Sequence, residues 1–185
     1  MDIVALKKLA EHMGLADMRA GRQILRDSRG WREGEICVIA LWYATVRPTF
    51  HDEAILCCAA TKETEFRGKR FEAWSRAGLL LHNTGRQSTI VWTPIQDDLL
   101  RPQVASLDIM ARSSTLSVDG IGYEIHFPSG DLHGQLEFRN PMLPALVNIE
   151  RALYQTGLTV ASETRDTEAL AYMEIWRQYL GRRLE

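Results

Sequence analysis

Two imidazoles and two carboxylates fall into one alternating stretch of this chain. Leu116 and Val118, then Tyr123, Ile125 and Phe127, then Leu136 and Phe138 keep period two, with breaks at Asp119-Gly120 and at Pro128-Ser129-Gly130-Asp131. That alternation predicts a three-stranded antiparallel meander with one buried face. Its polar face then carries Glu124 and His126 on one strand and His133, Gln135 and Glu137 on the next. Such a set suits metal ligation or acid–base chemistry. Ordinary cross-strand pairing on a solvated face accounts for the same residues. The expectation is therefore no catalytic residue, no metal and no cofactor. His51, Asp52 and Glu53 add nothing, because adjacent residues point in different directions and acids suit a helix start.

A second set is basic. From residue 62 to 86, Lys62, Arg67, Lys69, Arg70, Arg76 and Arg86 outnumber Glu63, Glu65 and Glu72, a net of +3 on a chain whose formal charge is −2. Arg19, Arg22 and Arg26 recur at i, i+3 and i+7, one face of a helix predicted from Asp17 to Ser28 and broken at Gly30. A local positive patch on a slightly acidic chain is what phosphate binding requires. Cys37, Cys57 and Cys58 are odd in number and two are adjacent, which fits neither a disulfide framework nor a zinc site. Buried, inert thiols are expected. No phosphate-binding loop, dinucleotide glycine pattern or nucleophile motif is present.

Several elements must position these residues. Ile3, Leu6, Leu9, Ala10 and Met13 predict an opening helix that stops at Gly14. "EICVIALWYATV" at 35–46 and "DEAILCCAA" at 52–60 are too apolar for periodicity to separate buried helix from buried strand. Residues 63–76 read as helix, with Phe66 or Arg67, Arg70, Phe71 and Trp74 at helical spacing and Gly78 as stop. "TPIQDDLLRPQ" reads as a loop with a short helical turn. Two helices close the chain. Pro144 opens the first, Leu146, Ile149 and Leu153 follow, and Gly157 is its expected end. Asp166 caps the second, whose stripe is Ala169, Tyr172, Met173, Trp176 and Leu180.

The stretch "AWSRAGLLLHNTGRQSTIVW", residues 73–92, joins the end of the predicted helix to two strands through a polar turn. It resembles the winged-helix superfamily of DNA-binding regulators, over roughly residues 35–94. The resemblance implies helices at Glu35–Val46 and Asp52–Ala60, a recognition helix at Lys62–Arg76 and a wing tip at Asn83–Gln87. Gly68 departs from it, since glycine inside a helix costs roughly 1 kcal/mol relative to alanine.

The expected fold is thus α+β. A helical and winged helix-turn-helix region spans 1–98, followed over 99–185 by the meander and two C-terminal helices, as two parts or as one compact domain. The expected function is a DNA-binding regulatory or replication-type factor. Arg67, Lys69, Arg70 and Arg86 would contact double-stranded DNA, with Arg19 and Arg22 beside them. A non-catalytic protein-interaction module is the alternative, and a metal-dependent enzyme using the meander face is the next. The stripe on the last helix predicts a homodimer, unless it docks on the meander's apolar face. The longest nearly unbroken apolar run, Ile36–Val46, has 11 residues. That is about half of the ~20 needed to span a bilayer, so the expectation is no membrane segment and a cytoplasmic protein.

Overall fold

In the computed structural model, which describes residues 3–82, 88–105, 120–129 and 132–181, the chain opens with α1 (Ile3–Met13). Ala5, Leu6, Leu9, Ala10 and Met13 form its buried face, and Gly14 ends it with φ +81°. From there the chain is mainly strand. β1 (Gly21–Arg26), β2 (Arg32–Pro48), β3 (Ala54–Lys62), β4 (Thr64–Phe66), β5 (Lys69–Phe71), β6 (Ser75–Leu81) and β7 (Thr89–Pro94) follow in turn. α2 (Leu100–Ala105), β8 (Ile121–Ser129), β9 (Leu132–Arg139), α3 (Pro144–Thr164) and α4 (Thr167–Leu180) complete it.

One antiparallel sheet organises the molecule, in the order β7-β6-β3-β2-β8-β9, with β1 also paired to β2. β3 runs along one edge of β2, from Cys37 to Val46. Along the other edge β1 pairs with Arg32–Val38 and β8 with Tyr43–Pro48. The sheet thus crosses the boundary expected at residue 98.

The winged helix is overturned by these strands. Residues 35–46 lie wholly within β2, residues 54–60 lie within β3, and residues 63–76 hold the β4–β5 hairpin and the start of β6. The helix expected from Asp17 to Ser28 is a loop followed by β1. Both faces of the central strands are buried, which removes the alternation that marks a half-exposed strand. Trp42, Ala44 and Val46 pack with Leu56, Leu79, Ile125 and the inner faces of α3 and α4. Ile36, Val38, Leu41, Tyr43, Ile55 and Leu80 pack with α1 on the opposite face. A register shift between Val38 and Ala40 moves the phase, so Val38 and Leu41 share a face three residues apart.

β8 and β9 are strands, but not a separate meander with one wet face: β8 also pairs with β2 in the large sheet, and His126, expected on the polar face, is buried. α4 follows its expected cap, Asp166, whose side chain accepts a hydrogen bond from the Ala169 backbone at 2.8 Å. The strand expected at 116–118 lies outside the described residues. α3 opens at Pro144 but runs through Gly157 to Thr164. Gly157 is a contact point instead of a stop. A Cβ there would sit 3.1 Å from Met173 Sδ and 3.2 Å from Trp176 Cζ3, so its absence lets α4 approach.

The α4 stripe is spent inside the chain. Tyr172, Met173, Trp176 and Leu180 are buried on the sheet and α3, where the homodimer expectation had them facing a second copy. Trp176 Nε1 donates to Tyr123 Oη at 2.9 Å, and that hydroxyl donates to Glu150 Oε1 at 2.8 Å. No helix among the described residues is long and apolar enough to cross a membrane. Trp176 joins α3, α4 and β8, so Trp176→Ala should cost about 3–5 kcal/mol in urea unfolding at constant m-value. A loss under 1 kcal/mol would mean that α4 is not packed as described.

Candidate nucleic-acid interface

Two hairpins meet at the end of the sheet where β2 begins. In the first, β1 and β2 are joined by Asp27–Trp31. Asp27 Oδ1 accepts from the backbone N–H groups of Arg29 and Trp31, both at 2.9 Å. The Asp27 N–H donates to Trp31 O and the Gly30 N–H to Asp27 O, each at 2.9 Å. Gly30 takes φ +82°, which a side chain would oppose. The Arg26 guanidinium caps Gly30 O at 2.9 Å. This fixed turn leaves Trp31 73% exposed.

The second hairpin, β4–β5, turns through Arg67 and Gly68 with φ +50° and +77°. Two positive φ angles mark the two-residue hairpin turn whose twist matches its strands. Gly68, costly in a helix, is at home here. The hairpin lies against β2. Thr64 Oγ1 donates to Glu35 O at 2.7 Å, and the Phe71 ring covers Gly34, where a Cβ would come within 2.1 Å of Cζ. The Arg32 guanidinium sits 4.2 Å from the centre of the Phe66 ring and that of Arg67 5.2 Å from it. The Lys69 ammonium lies 5.1 Å from the Phe71 ring.

The structure therefore brings Arg22, Arg67, Lys69 and Arg70 to the first residues of β2, on strands and a turn and not on helix faces, whereas Arg19 lies before β1, at the end away from the Asp27–Trp31 turn, and pairs with Asp17. It keeps Arg26, expected beside them, and adds three residues that helical reading missed: Arg29, Trp31 and Arg32. The signal for them was "RDSRGWR", an aspartate and a glycine framing a basic turn. Arg86 lies outside the described residues. Several of these cations are held by exposed ion pairs: Arg19–Asp17 at 2.6 Å, Arg22–Glu35 at 3.5 Å, Arg29–Asp27 at 3.5 Å, Lys69–Glu33 at 3.8 Å and Arg70–Glu63 at 2.5 Å. Arg32 also pairs with Glu35. Among the described residues Arg26, Lys62 and Arg67 form no ion pair. Exposed pairs are worth roughly 0–1 kcal/mol, so a phosphate can displace the carboxylate at little cost.

The polar face of β8 and β9 is a separate cluster. Glu124 stands opposite Glu137, His126 opposite Gln135, and Pro128 opposite His133. Glu124 Oε1 accepts from His126 Nε2 at 2.8 Å and Gln135 Nε2 at 3.2 Å, while Oε2 accepts from Arg47 Nη2 at 2.6 Å. The His126 ring stacks on Tyr43 with centroids 4.8 Å apart. Arg47 also reaches Glu53 at 3.2 Å, so it ties β8 to β2 and β2 to the start of β3. Glu124 is fully engaged, and among the described residues no group of three donors converges as a metal site would need. The His133 side chain lies outside the described residues.

Cys57 and Cys58 are buried thiols whose pKa burial pushes up, and all three cysteines are free. Comparison of the chain with protein-family models, with curated proteins and with solved structures returned no match.

Gly34→Ala should push Phe71 off β2. We expect a loss of about 1–3 kcal/mol and faster tryptic cleavage after Arg67 in the folded protein. Unchanged stability and cleavage would mean that Phe71 does not hold the hairpin to the sheet.

Glu124 carries a pH dependence. Burial raises its pKa, but hydrogen bonds from His126 and Arg47, with their charges, outweigh this and hold the carboxyl below its usual value. A depressed folded-state pKa gives stability that is present above the unfolded value, near ~4.3, and is lost as pH falls through the folded one. Glu124→Gln should flatten the acid limb of a stability–pH curve below about pH 5. A limb as steep as the wild type's would show that the cluster does not stabilise the ionised form.

Proposed function

We propose that the chain is a nucleic-acid-binding protein that holds the phosphate backbone with the two hairpins at the start of β2. One observation carries this reading. Residues 19–35 and 62–72 contain nine lysines and arginines against six acids, a net of +3, while the rest of the chain nets −5. The two hairpins touch through Arg32 and Phe66, so these cations share one end of the molecule. Charge separated in this way orients a polyanion towards that end before contact is made. The hairpins project β-turn tips, which reach a phosphate backbone without needing a helix in a groove. A cytosolic address accords with three free thiols, since thiols persist in a reducing compartment.

The test is a salt titration of binding to labelled oligonucleotides, single- and double-stranded. Arg26→Gln, Arg29→Gln and Arg67→Gln combined should weaken binding to every sequence. The slope of log affinity against log salt should fall by about 0.7 per lost contact on single strands and about 0.9 on duplex. Wild-type protein that binds neither form at about 50 mM salt would remove the reading and leave the protein-interaction alternative.

A further inference from the structure

We infer that the ligand at this end is a single strand and that Trp31 stacks on one of its unpaired bases. This rests on the phosphate-binding reading above and names the class of nucleic acid. Trp31 is an exposed indole at the residue that closes the turn onto β2, with Arg29 two residues before it in the chain, Arg32 next after it, and Arg26 closing the turn from the Gly30 carbonyl. Four backbone or side-chain hydrogen bonds within Asp27–Trp31 fix the turn, so little conformational entropy is lost when the ring meets a planar partner. A base offers its π-face only where it is not already stacked within a duplex, and aromatic stacking on such faces tolerates any sequence.

Charge points the same way. Six carboxylates are interspersed among the nine cations of residues 19–35 and 62–72. A duplex brings two phosphate strands, at one charge per about 1.7 Å of axis, against those acids. A single strand can thread between them, with Arg26 and Arg29 on phosphates and the base on Trp31. The neighbouring ring, Phe66, already carries the Arg32 and Arg67 guanidiniums. It therefore positions cations, and the stacking platform is Trp31.

Among the five indoles Trp31 is the exposed one, and the Trp31→Ala variant isolates its share of the emission change. Trp42 and Trp176 are buried, and Trp74 and Trp92 enclose the Arg76 guanidinium at 4.3 and 4.4 Å. The full chain is titrated with labelled oligo-dT of about fifteen nucleotides and with duplex of equal length. Anisotropy and tryptophan emission are both recorded, and thermal melts confirm that each variant is folded. We expect tighter binding of the single strand and quenching that Trp31→Ala abolishes. Trp31→Ala should lower single-strand affinity roughly five- to hundredfold and erase its preference over duplex, and Trp31→Phe should restore most of both. Equal affinity for the two forms, or a Trp31→Ala variant that keeps the preference, overturns the stacking inference. If the triple arginine variant still weakens binding in that case, the phosphate-binding reading stands alone. Polyglutamate binding as tightly as the oligonucleotide overturns both.

Discussion

A strand of 17 residues presents backbone groups along both edges, and on one of them β2 changes partners partway along, with Ile39–Trp42 between the two. β3 covers one edge, while on the other β1 serves the first part of the strand and β8 the last. The rest of the molecule follows from that exchange. The β8 part lies under α3 and α4, which bury Trp42, Ala44 and Val46. The β1 part runs beyond this helical layer, and Ile39, on its outer side, is 55% exposed. One end of the sheet is therefore core, and the other is a thin two-hairpin projection.

The projection cannot be stabilised by a second helical layer, so it relies on local devices. Asp27 organises one turn, and the Arg67-Gly68 pair closes the other. Phe71 lying on Gly34 fastens the hairpins to each other's base. Arginine at φ +50° is a less comfortable choice than the asparagine or glycine such turns favour, and it places a cation at the tip. Exposed ion pairs hold the remaining cations close without committing much energy, which suits a surface that exchanges carboxylate partners for phosphates.

At the opposite end the same strand carries a polar cluster of a different character. Arg47, Glu124, His126 and Gln135 complete one another's hydrogen bonds across β2, β8 and β9. Their chemistry is consumed in joining strands, with the Tyr43 ring stacked beneath His126. Residue types that would suit a catalytic site serve here as a seam, because a half-covered sheet face needs charges that neutralise each other.

The sequence by itself determined those elements that bury one face. α1 with its Gly14 stop, α4 with its Asp166 cap, and the alternation of β9 are readable because periodicity survives when the other face stays in water. It also determined the cations, since charge is a property of composition, and it flagged Gly68 as a poor helix residue. Only the tertiary structure decided that residues 35–60 are strands. Helices pack on both faces of β3 and of β2 from Leu41 to Val46, so those stretches are apolar throughout and carry no period. Gly157 stands inside α3 for a reason that exists only once α4 lies against it. Arg22, Arg67, Lys69 and Arg70 were legible as cations, yet their meeting at one end depends on β1 and β4–β5 both settling against the first residues of β2. Helical spacing among Phe66, Arg70 and Trp74 had no means of showing this, because neighbours across a hairpin are set by the turn between them and by the strand that receives it.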